Sequence, residues 1–352
     1  MSDRIPVAVL AATGSVGQRF IQLLDCHPLF KVVALTASDR TVGQTYAQAC
    51  HWMISSDMPA WARDMVILPT EPASASVPLA FSALPADAAK DVEPAFARAG
   101  TMICSNASSY RMAPDVSILF PEVNPEQAHI IPIQRRLRGW SGGIITNSNC
   151  TSTGITVTLK PLQDAFGLKT VFAVSMQALS GAGYPGVPSM DIIDNVVPFI
   201  KGEEEKVEIE PRKMLGRIQG DEIVPADFAV SAHTNRVAVS DGHMVCLSVK
   251  LDQKATLDEV VNALRSYQAP EISRDLPSAP DPVIVVRDEV DRPQPRLDRL
   301  AGKGMATVVG RVRPDPVFDY KMVVLSHNTI RGAAGGSVYN AELLVKLGYV
   351  KK

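Results

Sequence analysis

The start of the chain restricts the fold more than any other feature, because an apolar stretch, a turn of small residues and a helical pattern follow one another. Ile5–Leu10 is apolar and leads into ATGSVG at residues 12–17. Val16, Phe20 and Leu24 then recur at steps of four, as on one face of a helix. This order predicts a βα unit whose turn offers free backbone N–H groups and the positive end of a helix dipole to a phosphate.

The first third of the chain continues as alternating strands and helices. Further strands are predicted at Lys31–Ala37, Leu79–Leu84, Thr101–Ser105 and Val116–Phe120, with a helix over Ala86–Ala99. Strands that alternate with helices predict a parallel sheet covered on both faces. We therefore expect an α/β fold with a Rossmann-type doubly wound sheet at the N-terminus.

The pattern changes after residue 149. Alternating strands at Val171–Gln177, Val237–Val239 and Val245–Val249 predict a mixed or antiparallel sheet. Ala333–Leu347 predicts one amphipathic helix. Because 352 residues exceed the size at which a single core stops growing, we expect a second, α+β domain.

Composition excludes several classes of function. The formal net charge is -2, which gives no general attraction to nucleic acid or to an anionic membrane. No secretory leader or apolar run of roughly 18 residues is recognised. Five scattered cysteines without a CxxC pair argue against disulfides and a zinc site. We expect a cytoplasmic, metal-free, enzyme-sized protein.

The glycine turn predicts dinucleotide binding. Gly14 and Gly17 match two of the three glycines of a GxGxxG pattern, and Ala12 occupies the first position. Small residues there let the backbone approach a pyrophosphate and let the helix pack on the strand. The residues predicted to hold the cofactor at this turn are Thr13, Gly14, Ser15, Val16 and Gly17.

Cofactor choice depends on the segment about 20 residues further on. Ser38, Arg40 and Thr41 can donate several hydrogen bonds to a 2′-phosphate, with charge assistance from Arg40. Asp39 opposes this assignment because its carboxylate would repel the phosphate. The number of donors favours NADP over NAD.

Cys150 lies at a change from polar to apolar residues that predicts a helix start. Ile155 and Leu159 continue down one face before Pro161 interrupts the pattern. A thiol in the first turn of a helix meets unpaired N–H groups, which favour the thiolate. A lone cysteine is more often a buried core residue, so this segment alone supports a nucleophile and a core residue equally. The other four cysteines are predicted to be small core residues.

A second polar segment is NRVAVSDGH at residues 235–243. Asp241-Gly242 predicts a two-residue hairpin turn, which would place Arg236, Ser240 and His243 on one face. Arginine can bind a carboxylate and histidine can transfer a proton near neutral pH. A solvated surface hairpin is the equally supported alternative.

Two further segments are less specific. The bend SGAG at residues 180–183 can pass close to a cofactor or be only a turn. Glu203 and Lys206 stand three apart and would share one helical face, although most such pairs are exposed surface pairs.

Taken together, these segments resemble the aspartate-β-semialdehyde dehydrogenase family, most closely its fungal and archaeal branch. The resemblance runs from Val9 to the last predicted helix. It is carried by ATGSVGQRF (12–20), SNC (148–150), QALSGAG (177–183), DIIDN (191–195), GEEEK (202–206), NRVAVSDGH (235–243), DRPQPRLD (291–298), VLSHN (324–328) and GAAG (332–335).

The resemblance implies roles for individual residues. Cys150 would be the nucleophile, His243 the general acid/base, and Gln177 would orient the acyl group. Arg236 would hold the substrate α-carboxylate and Glu203 its α-amino group. The remaining implied contacts are Lys206 and Arg111 with phosphate, Asn149 with substrate, and Ser180, Gly181, Gly183 and Asn328 on the nicotinamide side.

The implied activity is reversible, NADP-dependent reduction of L-β-aspartyl phosphate to L-aspartate 4-semialdehyde, in the biosynthesis of lysine, methionine and threonine. It would proceed through a thioester on Cys150. Residues 1–149 with 331–352 would bind NADP, and residues 150–330 would form the catalytic and oligomerisation domain of a homodimer or homotetramer. Alternatives are a related acyl reductase, acting on malonyl-CoA or N-acetylglutamyl phosphate, and a catalytically silent NADP-binding protein.

Two positions depart from the family pattern. Ala11 stands where the family usually has glycine, so the geometry of the phosphate turn could differ. Asp39 stands where a small residue is common, which leaves the strictness for NADP over NAD open.

Overall fold

The first half of the chain forms a parallel sheet with helices on both faces. A computed structural model describes residues 4–351. The elements of this half are β1 Ile5–Leu10, α1 Ser15–Leu23, β2 Phe30–Thr36, α2 Tyr46–Ala49, α3 Ala60–Arg63, β3 Ile67–Leu68, β4 Leu79–Ser82, α4 Ala86–Arg98, β5 Met102–Ser105, α5 Ile130–Arg138 and β6 Gly143–Thr146. The strand order β3-β2-β1-β4-β5-β6, all parallel, confirms the doubly wound prediction. Since the order reverses at β1, a crevice opens at the carboxyl ends of β1 and β4.

The predicted strand at Val116–Phe120 is wrong. The segment is buried, but only Ile118 bridges to Thr146 at the outer side of β6. Turn hydrogen bonds at both ends, Val116 N–H to Ala113 and Val123 N–H to Phe120, bend the chain away before a ladder can form.

The second half contains a six-stranded mixed sheet, as predicted. Its elements are α6 Cys150–Phe166, β7 Leu168–Gln177, α7 Ser189–Ile192, α8 Glu203–Met214, β8 Arg217–Gln219, β9 Glu222–Val224, β10 Ala229–Arg236, β11 His243–Leu251, α9 Leu257–Arg265, α10 Glu271–Arg274, β12 Ile284–Arg287, α11 Pro295–Asp298, β13 Thr307–Pro314, β14 Tyr320–Ser326 and α12 Gly335–Lys346. The strand order is β10-β7-β11-β14-β13-β12. β10 runs parallel to β7, whereas β11 runs antiparallel to it.

The predicted hairpin at residues 235–243 is therefore wrong, because β7 lies between β10 and β11. The chain crosses the end of β7, and residues 237–240 form no strand. Their hydrogen bonds go to the end of β7 and to the turn after it: Val237 N–H donates to the Gln177 carbonyl, and Ser180 N–H donates to the Ser240 carbonyl.

Three smaller predictions also need correction. α6 continues through Pro161 to Phe166, because Ile155, Leu159 and Leu162 are buried in the second core and their burial outweighs one lost backbone hydrogen bond. α12 is buried on all sides over residues 335–344 and is not amphipathic.

The remaining correction concerns the cysteines. Cys50 and Cys104 are buried as predicted, but Cys26 and Cys246 are exposed. Cys26 lies in the turn after α1 and Cys246 points to the open face of the second sheet, opposite to its buried neighbours Val245 and Leu247.

The two sheets have separate cores. α12 contributes Val338, Leu343 and Leu344 to the core around β1, whereas α6 contributes Ile155 and Leu159 to the core of the second sheet. Across residues 4–351, every helix is too short or too polar to cross a bilayer.

Candidate active site

Cys150 is the first residue of α6, and the start of this helix is fixed by a side-chain cap. The Asn149 side-chain oxygen accepts hydrogen bonds from the backbone N–H groups of Thr151 (2.9 Å) and Ser152 (3.3 Å). Cys150 Sγ lies 3.2 Å from His243 Nε2. The structure thus brings together the predicted nucleophile and the predicted acid/base.

The hydrogen bonds of His243 determine where its ring carries a proton. The backbone N–H of Ala178 donates to His243 Nδ1 over 3.0 Å, so the neutral ring carries its proton on Nε2, facing Cys150. Burial, and then the charges of Arg236 and His327, lower the pKa of His243 to about 3. The ring is therefore neutral at physiological pH, and its Nε2–H group can donate a hydrogen bond to the Cys150 sulfur.

The environment of Cys150 differs from the sequence expectation of a thiolate-favouring helix start. Burial, reinforced by Glu203, raises the pKa of the thiol to about 12, although Arg111 and Arg236 oppose the shift. Gly332 closes the pocket from behind, because a Cβ there would lie 3.0 Å from Cys150 Cα and Cβ. Desolvation therefore outweighs the N–H groups of the helix start.

Arg236 and His243 point into the same space, although no hairpin joins them. Arg236, at the end of β10, donates from Nη1 to the Ala178 carbonyl over 2.8 Å. A Cβ at Gly181 would lie 2.9 Å from Arg236 Nη1 and 3.0 Å from His243 Nε2. A methyl group at this point would displace the ends of both side chains, so Gly181 lets the SGAG bend lie close to them.

Glu203 contacts three other predicted site residues. Its Oε1 lies 2.9 Å from Lys206 Nζ. Its Oε2 accepts a hydrogen bond from Asn149 Nδ2 (2.7 Å) and a long one from Gln177 Nε2 (3.4 Å). The carboxylate is buried, and these partners hold it beside the N-terminal end of α6.

Arg111 is held from two sides. Its Nη2 donates to the Asn106 carbonyl (2.7 Å) and its Nη1 to Glu210 Oε1 (3.1 Å). Glu210 Oε2 in turn accepts the backbone N–H of Asn149 over 2.5 Å. Lys213 Nζ donates to the Arg111 carbonyl at 2.6 Å.

Sequence reasoning missed Glu210 and Lys213, although a signal was present. Glu203, Lys206, Glu210 and Lys213 follow one another at steps of three, four and three, which is one stripe along a helix. Because Glu203 and Lys206 were assigned to the site, the same spacing could have assigned Glu210 and Lys213 to it as well.

The residues of the glycine turn fit a dinucleotide. α1 begins after Gly14 without a side-chain cap, which leaves its first N–H groups available to a pyrophosphate. A Cβ at Gly17 would lie 2.4 Å from the Ala11 carbonyl oxygen, so glycine is required for α1 to pack on this turn. Ser38 and Arg40 are exposed just beyond the carboxyl end of the adjacent strand β2.

Two of the other predicted cofactor residues, Ser180 and Gly183, line a neighbouring cleft from the turn after β7. Its volume is about 340 Å³, and its lining includes Ser15, Arg19, Ser180 and Gly183, a size suited to part of a dinucleotide. Asn328 fixes this wall: its Nδ2 donates to Ser180 Oγ (2.8 Å) and its Oδ1 accepts the Gly242 N–H (2.9 Å). Arg19 was missed, although it stands four residues after Ser15 on α1.

Two family models match the chain. One, described as semialdehyde dehydrogenase, NAD binding domain, covers residues 6–131. The other, described as semialdehyde dehydrogenase, dimerisation domain, covers residues 159–331.

Relatives with the same name match over nearly the whole length. Aspartate-semialdehyde dehydrogenase of Archaeoglobus fulgidus is 52% identical over 97% of this chain and 98% of its own. That of Schizosaccharomyces pombe is 48% identical over 97% and 98%. The crystal structure of aspartate semialdehyde dehydrogenase with NADP from Candida albicans superposes with a TM-score of 0.91 at 40% identity, covering 99% of this chain and 100% of that one. The chain belongs to the aspartate-semialdehyde dehydrogenase family.

Proposed function

We propose that this protein catalyses the reversible, NADP-dependent reductive dephosphorylation of L-β-aspartyl phosphate to L-aspartate 4-semialdehyde, a step in lysine, methionine and threonine biosynthesis. The observation that carries the proposal is the 3.2 Å contact between Cys150 Sγ and the proton-bearing Nε2 of His243. Residues suited to each charged group of this substrate surround that contact. The relatives of this chain also carry the name of this enzyme.

The residues divide the reaction into two easier steps. The Cys150 sulfur attacks the acyl carbon and a C–S bond forms, while the thiol proton passes to the phosphate as its C–O bond breaks. Arg111 and Lys206 receive the leaving phosphate. Bound NADPH supplies a hydride that reduces the thioester. The hydrogen bond that His243 donates from Nε2 stabilises the oxyanion of the reduced intermediate. The C–S bond then breaks, which releases the aldehyde and the Cys150 thiolate, and the thiolate takes up a proton from solvent.

Arg236 and Glu203 select the substrate. A buried guanidinium binds a carboxylate bidentately, and a buried carboxylate binds an ammonium group. A malonyl group has no α-amino group for Glu203, which disfavours malonyl-CoA as substrate. Steady-state assays should give a higher kcat/KM for aspartate semialdehyde than for malonate semialdehyde, and the reverse order would refute the assignment.

Preference for NADP rests on the exposed donors after β2. Ser38 and Arg40 are open to a 2′-phosphate at the carboxyl end of β2, and Thr41 follows in the same turn. The Candida albicans relative was crystallised with NADP. We expect a higher kcat/KM with NADP than with NAD, and Arg40→Ala should reduce this preference; equal values for the two cofactors in the wild-type protein would contradict it.

The domain division that we propose follows the two cores. Residues 1–149 with 331–352 would bind NADP, and residues 150–330 would carry catalysis and self-association. The packing of α12 in the first core and of α6 in the second supports this boundary. A free-thiol nucleophile also suits a reducing compartment, so we place the protein in the cytoplasm.

A homodimer would use the open face of the second sheet, with assembly into a homotetramer as the next possibility. Phe172 and Phe318 stack at 6.4 Å on this face, and Cys246 is exposed on it. The matching dimerisation-domain model covers these strands. Sedimentation should show a dimer or tetramer for the wild type and smaller species for Cys246→Glu; a monomeric wild type would refute the proposal.

The central test is Cys150→Ala. With aspartate semialdehyde, phosphate and NADP, NADPH formation should fall to background because no thioester can form. Cys246→Ala, which also removes one thiol but lies outside the site, is the matched control for activity. Turnover of Cys150→Ala at the wild-type rate would end the proposal.

A further inference from the structure

Glu210 is a buried acid whose two hydrogen bonds end at two predicted substrate-binding residues. It lies on α8, seven residues after Glu203, and is 1% exposed. Oε1 accepts from Arg111 Nη1 and Oε2 from the backbone N–H of Asn149. Asn149 immediately precedes Cys150 and caps its helix.

We propose that Glu210 is a positioning residue that fixes the phosphate-binding guanidinium of Arg111 relative to the helix start that carries Cys150. The inference rests on the proposed function and adds a residue to its machinery. The Glu210 carboxylate binds both Arg111 and the backbone next to Cys150. It therefore holds the phosphate-binding guanidinium at a constant distance from the sulfur that displaces phosphate.

The state of Arg111 supports this role. Its two terminal nitrogens are engaged by Glu210 and Asn106, while its Nε, buried in the described part of the chain, has no hydrogen-bond partner there. A buried donor without a partner is costly unless a ligand satisfies it. Glu210 and Asn106 thus orient the guanidinium so that a donor is left over for an oxyanion.

Charge explains why an acid is used at this position. Arg111 is 7% exposed, and a buried guanidinium without a counter-ion is expensive. Burial raises the pKa of Glu210, but Arg111 and the Asn149 N–H act in the opposite direction and favour its ionised form. A charged acceptor also makes a stronger bond to the Asn149 N–H than a neutral one would.

The same helix holds Arg111 at its backbone. Lys213 Nζ donates to the carbonyls of Arg111 and Ala113, both at 2.6 Å. Lys213 therefore holds the loop and Glu210 holds the guanidinium, so removing the Glu210 charge should disturb phosphate binding without releasing the loop.

Glu210→Gln tests the proposal, with Glu205→Gln as the matched control, since Glu205 is exposed on the same helix. In the oxidative direction, the KM for phosphate should rise about tenfold in Glu210→Gln. The KM values for aspartate semialdehyde and NADP should change less than about twofold, and Glu205→Gln should match the wild type. An unchanged phosphate KM, or an equal rise in all three KM values, would overturn the positioning role.

A double-mutant cycle checks that Glu210 acts through Arg111. In the Arg111→Ala background, adding Glu210→Gln should change the phosphate KM by less than about twofold. Full multiplication of the two single effects would refute the coupling. If Glu210→Gln does not fold, Glu210→Asp retains the charge with a shorter reach and should show a raised phosphate KM; a wild-type KM in Glu210→Asp would count against the proposal.

A binding measurement separates this inference from the proposed function. Inorganic phosphate should protect Cys150 from iodoacetamide in the wild type, and half-protection should need about tenfold more phosphate in Glu210→Gln. This readout needs no turnover. Absence of wild-type turnover with intact, Glu210-dependent protection would refute the proposed reaction alone, whereas equal protection in both proteins would refute the role of Glu210.

Discussion

At the scale of single residues, Cys150 shows how burial overrides a local motif. A helix start favours thiolate, yet desolvation, reinforced by Glu203, raises the pKa of the half-buried thiol to about 12. The proposed reaction therefore needs the charges of Arg111 and Arg236, which act in the opposite direction, to remain close to the sulfur.

The reactivity of Cys150 in the substrate-free protein should follow this shift. Only the thiolate reacts with iodoacetamide, so a raised pKa means that the Cys150 alkylation rate keeps rising through pH 10. Mass spectrometry of the Cys150 peptide would measure it, with exposed Cys26 as internal reference. A plateau below pH 8 would show that the thiol is acidic instead.

Ala11 is strained, because its backbone lies in a conformation that favours glycine. Its φ is 57°, the left-handed region that costs a residue with a Cβ roughly 1 kcal/mol or more. Ala11→Gly should raise the free energy of unfolding by about 1 kcal/mol, measured by urea denaturation. Ala12→Gly, at a buried neighbour, should lower it, and a loss of stability in Ala11→Gly would contradict the strain.

Glu93 is another buried acid, and it should make stability depend on pH. Burial raises its pKa from 4.5 to about 7, against the opposing effect of a hydrogen bond from Ser105. Between these values the folded state binds more protons than the unfolded state, so stability falls as pH rises through this window. Relative to Glu93→Gln, the wild type should lose on the order of 3 kcal/mol from pH 4.5 to 7; parallel denaturation curves would contradict this.

At the scale of elements, the turn after β7 organises the reactive groups. Ala178 binds Arg236 through its carbonyl and His243 through its N–H, and Gly181 covers both side chains. The functional side chains of β10 and β11, which do not pair with each other, are thus positioned by the backbone of one residue that follows β7.

Gly181→Ala should uncouple activity from stability. The new methyl group would meet Arg236 Nη1 at 2.9 Å and His243 at 3.0 Å, and movement of these side chain ends should lower kcat/KM about 100-fold. The melting temperature should remain near that of the wild type, because the displaced atoms are terminal. Ala182→Ser, at the exposed next residue, is the control; a wild-type kcat/KM for Gly181→Ala would show that the site accommodates the methyl group.

At the scale of the whole molecule, a buried ion pair joins the two cores. Arg331 and Glu122 are 0% and 1% exposed and lie 2.6 Å apart. The guanidinium also stacks 4.1 Å from the ring centre of Phe120, in the second core, and 5.9 Å from that of Tyr339, in the first. It lies in the turn that carries Gly332, so this junction also supports the wall behind Cys150.

Removing one partner of that pair should destabilise the protein strongly. Glu122→Ala would leave a buried unpaired guanidinium, which costs about 3–5 kcal/mol. Urea denaturation should show this loss, whereas Glu126→Ala, exposed in the following turn, should change stability by less than about 0.5 kcal/mol. Equal stability of the two variants would mean that the pair is dispensable.

The sequence alone determined the elements whose signal is local. The opening βα unit, the parallel sheet and the helix start at Cys150 all follow from periodicity and turn chemistry over fewer than about 20 residues. The site residues were predicted from the resemblance. The stripe of charged residues on α8 could be predicted from their spacing in the sequence.

Only the tertiary structure decided what depends on contacts between distant segments. An Asp-Gly turn cannot indicate that β7 will insert between β10 and β11, because strand pairing is set by the packing of whole elements. The tautomer of His243, the raised pKa of Cys150 and the link from Arg111 through Glu210 to Asn149 depend on burial and on backbone groups that lie far apart in the chain. The sequence thus determined which chemical groups are present, and the fold determined their protonation and their distances.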